Sequence, residues 1–188
     1  MCPVPGAPRP DRAAPRSQGL APWVRSAFAA PNVVYAKGLG WVLGRRFLQL
    51  SHTGRRSGRS FQVVLEVVRY DRATGEAPVI SGYGRQADWL RNLLAGGAAS
   101  VDFGRGPRLA ACRVLDLHEA QATYAAYERR NLIIAPLVRW TLTALLGWRY
   151  DGSVEARRRM VAELPMVALR PSGGRAMRPV QSSGPPAT

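Results

Sequence analysis

Apolar and polar positions along this chain alternate in short runs before they settle into longer helical periods. Phe47, Leu48, Gln49, Leu50 and Ser51 read as a strand, the pattern breaks at Thr53-Gly54-Arg55-Arg56-Ser57-Gly58-Arg59, and it resumes from Phe61 to Tyr70. In that second run Phe61, Val63, Leu65 and Val67 share one face and Gln62, Val64, Glu66 and Val68 the other, which predicts a strand covered on both sides. Asp71 to Glu76 has turn composition, and Ala77 to Ser81 predicts a further short strand. The loop Ser81-Gly82-Tyr83-Gly84-Arg85 then leads into a helix from Gln86 to Ala95, with Trp89, Leu90, Leu93 and Leu94 as its buried face and Gly96-Gly97 as its stop. Ser100 to Phe103 and Arg108 to Leu115 form a hairpin around Gly104-Arg105-Gly106-Pro107.

The remaining pattern is helical. Asp116 with Glu119 three residues on has the form of a capping box for a helix through Arg130, which carries Tyr124 and Tyr127 one turn apart. Leu132 to Leu146 is the most apolar run, too short and too interrupted by Pro136 and Arg139 for a transmembrane span; it predicts a buried or surface-docking helix, with membrane contact the lesser alternative. A helix from Ser153 to Glu163 places Arg157, Arg158 and Arg159 on a solvated face, and Leu164 to Arg170 closes the domain as a strand. Residues 1–20 and 171–188 are Pro-rich without periodicity and are expected to be disordered tails. Residues 21–45 read as a helical arm broken at Pro31-Asn32, expected to pack on the domain rather than on a membrane. The domain proper is residues 46–170. Strands joined by short turns, with one inserted helix and the other helices gathered late, predict an α+β, mainly β fold: an antiparallel barrel with peripheral helices. A doubly wound parallel sheet would need a crossover helix between most strands.

Composition changes this picture chiefly through charge. The chain has 188 residues, 46% hydrophobic and 21% charged, enough to bury a real core. Its 27 basic residues against 12 acidic ones give a formal net charge of +15, which implies attraction to polyanions: a nucleic acid, an anionic membrane surface or an anionic small molecule. The aromatic residues are not interleaved with the arginines as a base-stacking platform, which argues against nucleic acid. Cys2 and Cys112 suggest no disulfide framework, the first residues lack a secretory h-region, and a reduced, cytoplasmic setting follows as the expectation.

Candidate chemistry concentrates at two places. The turn Thr53–Arg59 joins two glycines to three arginines between segments that should pair, so backbone amides and forked guanidinium donors are available to phosphate or carboxylate oxygens. An arginine-rich hairpin that merely faces water fits the same composition. The glycine loop beside a helix N-terminus has the general geometry for holding an anionic or polar ligand. No spacing suggests a metal site. His52 and His118 are far apart and read as structural or exposed, and adjacent Ser51 and His52 point to opposite faces of a strand, so they are no nucleophile pair.

Thr53–Arg59, then Ser81-Gly82-Tyr83-Gly84, then Asp88-Trp89-Leu90-Arg91-Asn92-Leu93-Leu94, and finally Glu163 to Pro171 resemble, in order and spacing, the deazaflavin-dependent nitroreductase family. The resemblance implies a split β-barrel related to flavin-mononucleotide-binding oxidoreductases, which binds coenzyme F-420, an 8-hydroxy-5-deazaflavin with a phosphodiester and an oligoglutamate tail. It implies cofactor contacts at Thr53, Gly54, Arg55, Arg56, Ser57, Gly58 and Arg59, with Arg55 and Arg56 on the phosphate or tail. It further implies that Ser81, Gly82, Tyr83 and Gly84 line the ring and that Trp89 and Asn92 support that wall. Trp89 on a buried helix face is equally a core residue. Tyr124 and Tyr127 fall where some members place substrate-facing tyrosines, and are the catalytic candidates; core packing suits them as well. The chain departs from the family pattern at Ser60-Phe61, which follow the turn in place of a proline and a basic residue, and at Val64. Loss of a basic residue at Phe61 makes FMN the alternative cofactor.

The function implied is hydride transfer from the reduced deazaflavin to a quinone, nitroaromatic or activated double bond. Two other readings stand beside it: a non-catalytic deazaflavin or flavin carrier, and a basic protein of polyanion or membrane surfaces. Peripheral contact with the inner face of the cell membrane is an open option, and the sequence leaves the oligomeric state open.

Overall fold

In the computed structural model, residues 44–175 are described, and they build one antiparallel sheet with four α-helices. The expected tail 1–20, nearly all of the arm 21–45 and residues 176–188 lie outside the described residues. The strands are β1 (Phe47–Thr53), β2 (Ser60–Glu66), β3 (Ala77–Ile80), β4 (Ala99–Asp102), β5 (Arg108–Val114) and β6 (Met166–Arg175). The helices are α1 (Asp88–Leu94), α2 (Leu117–Arg130), α3 (Ala135–Leu146) and α4 (Val154–Glu163). The sheet order is β2-β1-β4-β5-β6-β3, every pairing antiparallel. Past the end of β2, Val67 bridges Val79, and the Val68 N–H donates to the Pro78 carbonyl at 2.9 Å, so the two outer strands meet and the sheet curls into a barrel. β4 and β5 pair only through Ser100 with Leu109 and Val101 with Arg108, and beyond that point β5 follows β6. The fold is an antiparallel barrel, as the sequence pattern predicts, and this parting makes it split, as the resemblance implies.

Alternation along β6 sorts the two cores. Val167 and Leu169 point into the barrel, where Leu48, Leu50, Val79 and Val101 meet them and α1 plugs the end with Trp89, Leu90 and Leu93. Met166 and Ala168 point outward, into a second core of Tyr124, Tyr127, Leu142, Leu146, Tyr150, Met160 and Val161 from the three later helices and their connections. Period-two side chains on a central strand let one segment serve both cores.

Four expectations are corrected. β2 is not covered on both sides: it ends at Glu66, its burial runs from exposed to half-buried, and Phe61 is 45% exposed. The first half of β6, Met166 to Leu169, is buried on both faces, as Ala77 to Val79 of β3 is, and β6 runs to Arg175, so the first residues of the expected tail are strand. A 3-10 turn at Gly84–Gln86 occupies the predicted start of the glycine-loop helix, and α1 begins only at Asp88. Arg157 is not solvated: its guanidinium donates twice to Glu128 Oε2, at 2.7 and 2.9 Å, with the two side chains only 15% and 11% exposed.

The Asp116 cap is where the sequence places it. Asp116 accepts from the Glu119 N–H at 2.8 Å, but the Glu119 carboxylate turns away to Arg113, so the box is half closed. Ser153 caps α4 through the Ala156 N–H.

Candidate functional site

The basic turn is held by α1. Arg55 donates its backbone N–H to Asn92 Oδ1 at 3.1 Å and its Nη1 to the same oxygen at 2.9 Å, and Nη1 also reaches Asp88 Oδ1 at 3.1 Å. Asn92 is buried, and its Nδ2 stands 3.0 Å from His52 Nδ1. Because Oδ1 already accepts from Arg55, Nδ2 must donate, and the His52 ring must accept with an unprotonated Nδ1. Burial also lowers the His52 pKa below its ordinary value, against a smaller opposing influence from Asp88, so both effects favour the neutral ring. Phe61 stacks on that ring at 5.9 Å and 22°. Its edge also covers Gly54, where a Cβ would come within 2.6 Å of the phenyl carbons. Phe61 therefore covers His52 and Gly54 at the edge of the anchor.

This anchoring alters how the turn can meet an anion. Gly54 donates its N–H to Arg59 O, Gly58 to Gly54 O and Arg59 to Ser57 Oγ, so with Arg55 most of the amides expected to face a ligand bond inward. The Arg55 guanidinium is likewise committed to α1. Arg56 and Arg59 are exposed, and among the described residues neither guanidinium has a carboxylate partner. The turn offers side chains to an anion, not a nest of backbone amides.

The glycine loop follows a similar logic. Ser81 is fully buried, its N–H bonded to Pro165 O and its hydroxyl to Gly84 O at 2.6 Å, so it closes the loop and lines no surface. Gly84 has φ 60°, and a Cβ there would lie 2.9 Å from the Glu163 carbonyl oxygen, so both the backbone turn and the close approach of α4 require glycine. Gly82 is half-buried near Leu145, and Tyr83 stands 58% exposed. A 3-10 turn stands between this loop and α1, which is only seven residues long. Arg55 on Asp88 is what ties the basic turn to the segment leaving the loop.

Of the residues singled out in the sequence, Arg56, Ser57, Gly58, Arg59, Gly82 and Tyr83 present surface. Thr53, Gly54, Arg55 and Asn92 form the anchor beneath, and Trp89 is barrel core. Tyr124 and Tyr127 stack on each other at 5.5 Å inside the helical core, and the Tyr127 hydroxyl donates to Glu66 at 3.0 Å. Burial pushes both phenols well above the ordinary tyrosine value. They are corrected to core residues: helix alignment alone could not tell a tyrosine facing a ligand from one facing Tyr150.

Sequence reasoning took His52 as structural or exposed, and it is structural; what it missed is the ring's place in the anchor and the groove at the barrel's parting. That groove holds about 320 Å³ between Leu93, Gly96 to Ala99 and Leu109 to Cys112. It borders the turn, since the Thr53 N–H donates to Ala98 O and a Cβ on Gly97 would come within 2.8 Å of Asn92 O and 3.1 Å of Thr53 O. The inward alternation Leu48, Leu50, His52 was the available signal for His52. For the groove there was none, because it arises where two strands cease to pair. Among the described residues no group of His, Cys, Asp and Glu is placed to hold a metal ion.

No protein-family model matches the chain, and no curated protein does. Solved structures of similar fold include an F420-H2 dependent reductase (FDR-A), 18% identical, covering 68% of this chain and 96% of its own, TM-score 0.44. A pyridoxamine 5'-phosphate oxidase-related, FMN binding protein from Nostoc punctiforme is 16% identical, covers 81% of each chain, and has a TM-score of 0.36. At such identities neither activity nor cofactor passes from these proteins to this chain.

Proposed function

We propose that the protein is a deazaflavin-dependent oxidoreductase that delivers hydride from reduced coenzyme F-420 to a quinone, nitroaromatic or activated double bond. The observation that carries the reading is the anchored basic turn. Asn92 and His52 hold Arg55 against α1, so Arg56 and Arg59 project from a rigid base with their charges available to a phosphodiester or a carboxylate-rich tail. Exposed Tyr83 and half-buried Gly82 offer an apolar and a close-backbone surface to a planar ring. The cofactor, when bound, supplies the hydride chemistry; the chain supplies charge, position and exclusion of water. The departure at Phe61 leaves two arginines for the tail and keeps FMN as the competing cofactor.

The test is a fluorescence titration of oxidised deazaflavin, run beside FMN at two salt concentrations, followed by turnover of quinones and nitroaromatics with the reduced cofactor. Selective saturable binding with turnover supports the reading, and binding without turnover indicates a carrier. Selective FMN binding moves the chain to the flavin branch. Failure to bind either, with steep salt-dependent binding of polyanions, defeats the reading. In the double variant Arg56→Ala/Arg59→Ala, deazaflavin affinity should fall by about 1.5–3 kcal/mol for each charge-assisted contact removed, at unchanged stability. Unaltered affinity in that folded variant removes the turn from the site.

A further inference from the structure

The outer face of α3 is apolar where a surface helix ordinarily carries its polar side chains. Leu142 and Leu146 point into the helical core, with Val138 and Leu145 packed beside them. On the opposite side, at helical spacing, Ile133 is 97% exposed, Leu137 56% and Trp140 46%, and Leu132 in the leading 3-10 turn is 69% exposed. Pro136 and Ala144 continue the exposed face. Single exposed apolar side chains are ordinary, but a contiguous stripe on one helix marks a contact surface.

Charge identifies what that surface meets. From Arg129 to Tyr150 the chain carries four arginines and neither aspartate nor glutamate. Arg129, Arg139 and Arg149 are exposed, and the Arg139 guanidinium lies beside Gly152. A second copy of the chain would bring this cationic rim against an identical one, setting like charges together. An anionic bilayer meets the stripe with apolar acyl chains and the rim with phosphate oxygens. Among the described residues no helix is long and apolar enough to cross a membrane, so the helix would lie in the plane of the surface.

We infer that α3 and its leading turn dock onto an anionic lipid bilayer, with Leu132, Ile133 and Leu137 entering the acyl boundary and Arg129, Arg139 and Arg149 meeting headgroup phosphates. This surface is separate from the turn and glycine loop and does not rest on the cofactor assignment.

The test is flotation of the full chain with phosphatidylcholine vesicles containing phosphatidylglycerol, against phosphatidylcholine alone. The chain should float with the anionic vesicles. The double variant Ile133→Asn/Leu137→Gln, whose altered side chains sit in water and which should keep its melting temperature, should lower the bound fraction about tenfold or more, while Ile133→Leu should retain binding. Absence of flotation overturns the inference. So does flotation indifferent to the double variant, which assigns binding to charge elsewhere in the chain. A lipid-free dimer in sedimentation that the double variant dissociates also overturns it, by assigning the stripe to self-association.

Discussion

Asn92 and His52 show how much one buried amide can decide. A carbonyl oxygen shared by two donors fixes which way the amide faces, and that fixes the tautomer of a histidine forty positions earlier in the chain. Asn92→Ala would strand the Arg55 N–H and the His52 ring together, and should destabilise the fold by about 2–4 kcal/mol in urea denaturation. His52 also gives stability a pH dependence of definite sign. Its folded pKa lies below the ordinary 6.5, so the unfolded chain binds more protons as the pH falls. The stability it contributes is full above pH 6.5 and is lost as the pH drops through the lowered value. Melting temperature should decline over that window, and His52→Gln should flatten the decline. Tyr127→Phe, which loses one hydrogen bond to a half-exposed Glu66, should cost about 1 kcal/mol and leave any turnover with reduced deazaflavin unaltered. A large loss of turnover at full stability would return that tyrosine to the site.

At the scale of elements, the helical layer is pinned by one buried ion pair. Glu128 on α2 accepts from Arg157 on α4 and from the Tyr150 hydroxyl at 2.9 Å between them, with little water to replace either partner. Glu128→Ala would leave the largely buried Arg157 with its bond to the Gly152 carbonyl but no counter-charge, and should destabilise by about 3–5 kcal/mol, while Arg158→Ala, one residue along and exposed, should stay within about 0.5 kcal/mol. Chemical denaturation of the two variants side by side checks the contrast. Arg113 ties β5 to Glu76 and Glu119, but its side chain is 41% exposed, so water screens that network and it orders α2 more than it stabilises it. The Arg157-Arg158-Arg159 run was legible as a helix and illegible as an ion pair, since three consecutive positions span three directions around the axis. Arg159, for its part, stacks over Trp148 at 4.3 Å.

At the scale of the whole molecule, closure of the sheet depends on a single bridge and one further bond where Val67 and Val68 reach β3, while the opposite parting between β4 and β5 opens the groove. A ring fastened this lightly relies on its interior. Leu169→Ala, on the strand shared by both cores, should cost about 2–5 kcal/mol by denaturant titration, more than a comparable truncation on half-exposed β2.

The sequence alone determined the strands, their turns, the cap at Asp116 and the late helices, because each is written in periods of two or 3.6 and in residues that bond to their near neighbours. It also marked Thr53–Arg59 and Ser81–Gly84 as the places where chemistry gathers. Tertiary structure alone decided which strands are buried on both faces, which arginine of the turn is anchored and which two project, and that Tyr124 and Tyr127 pack against each other. Those outcomes depend on partners far away in the chain, Asn92 for Arg55, Glu128 for Arg157 and the helical layer for β6. No local pattern encodes a partner that only folding brings near.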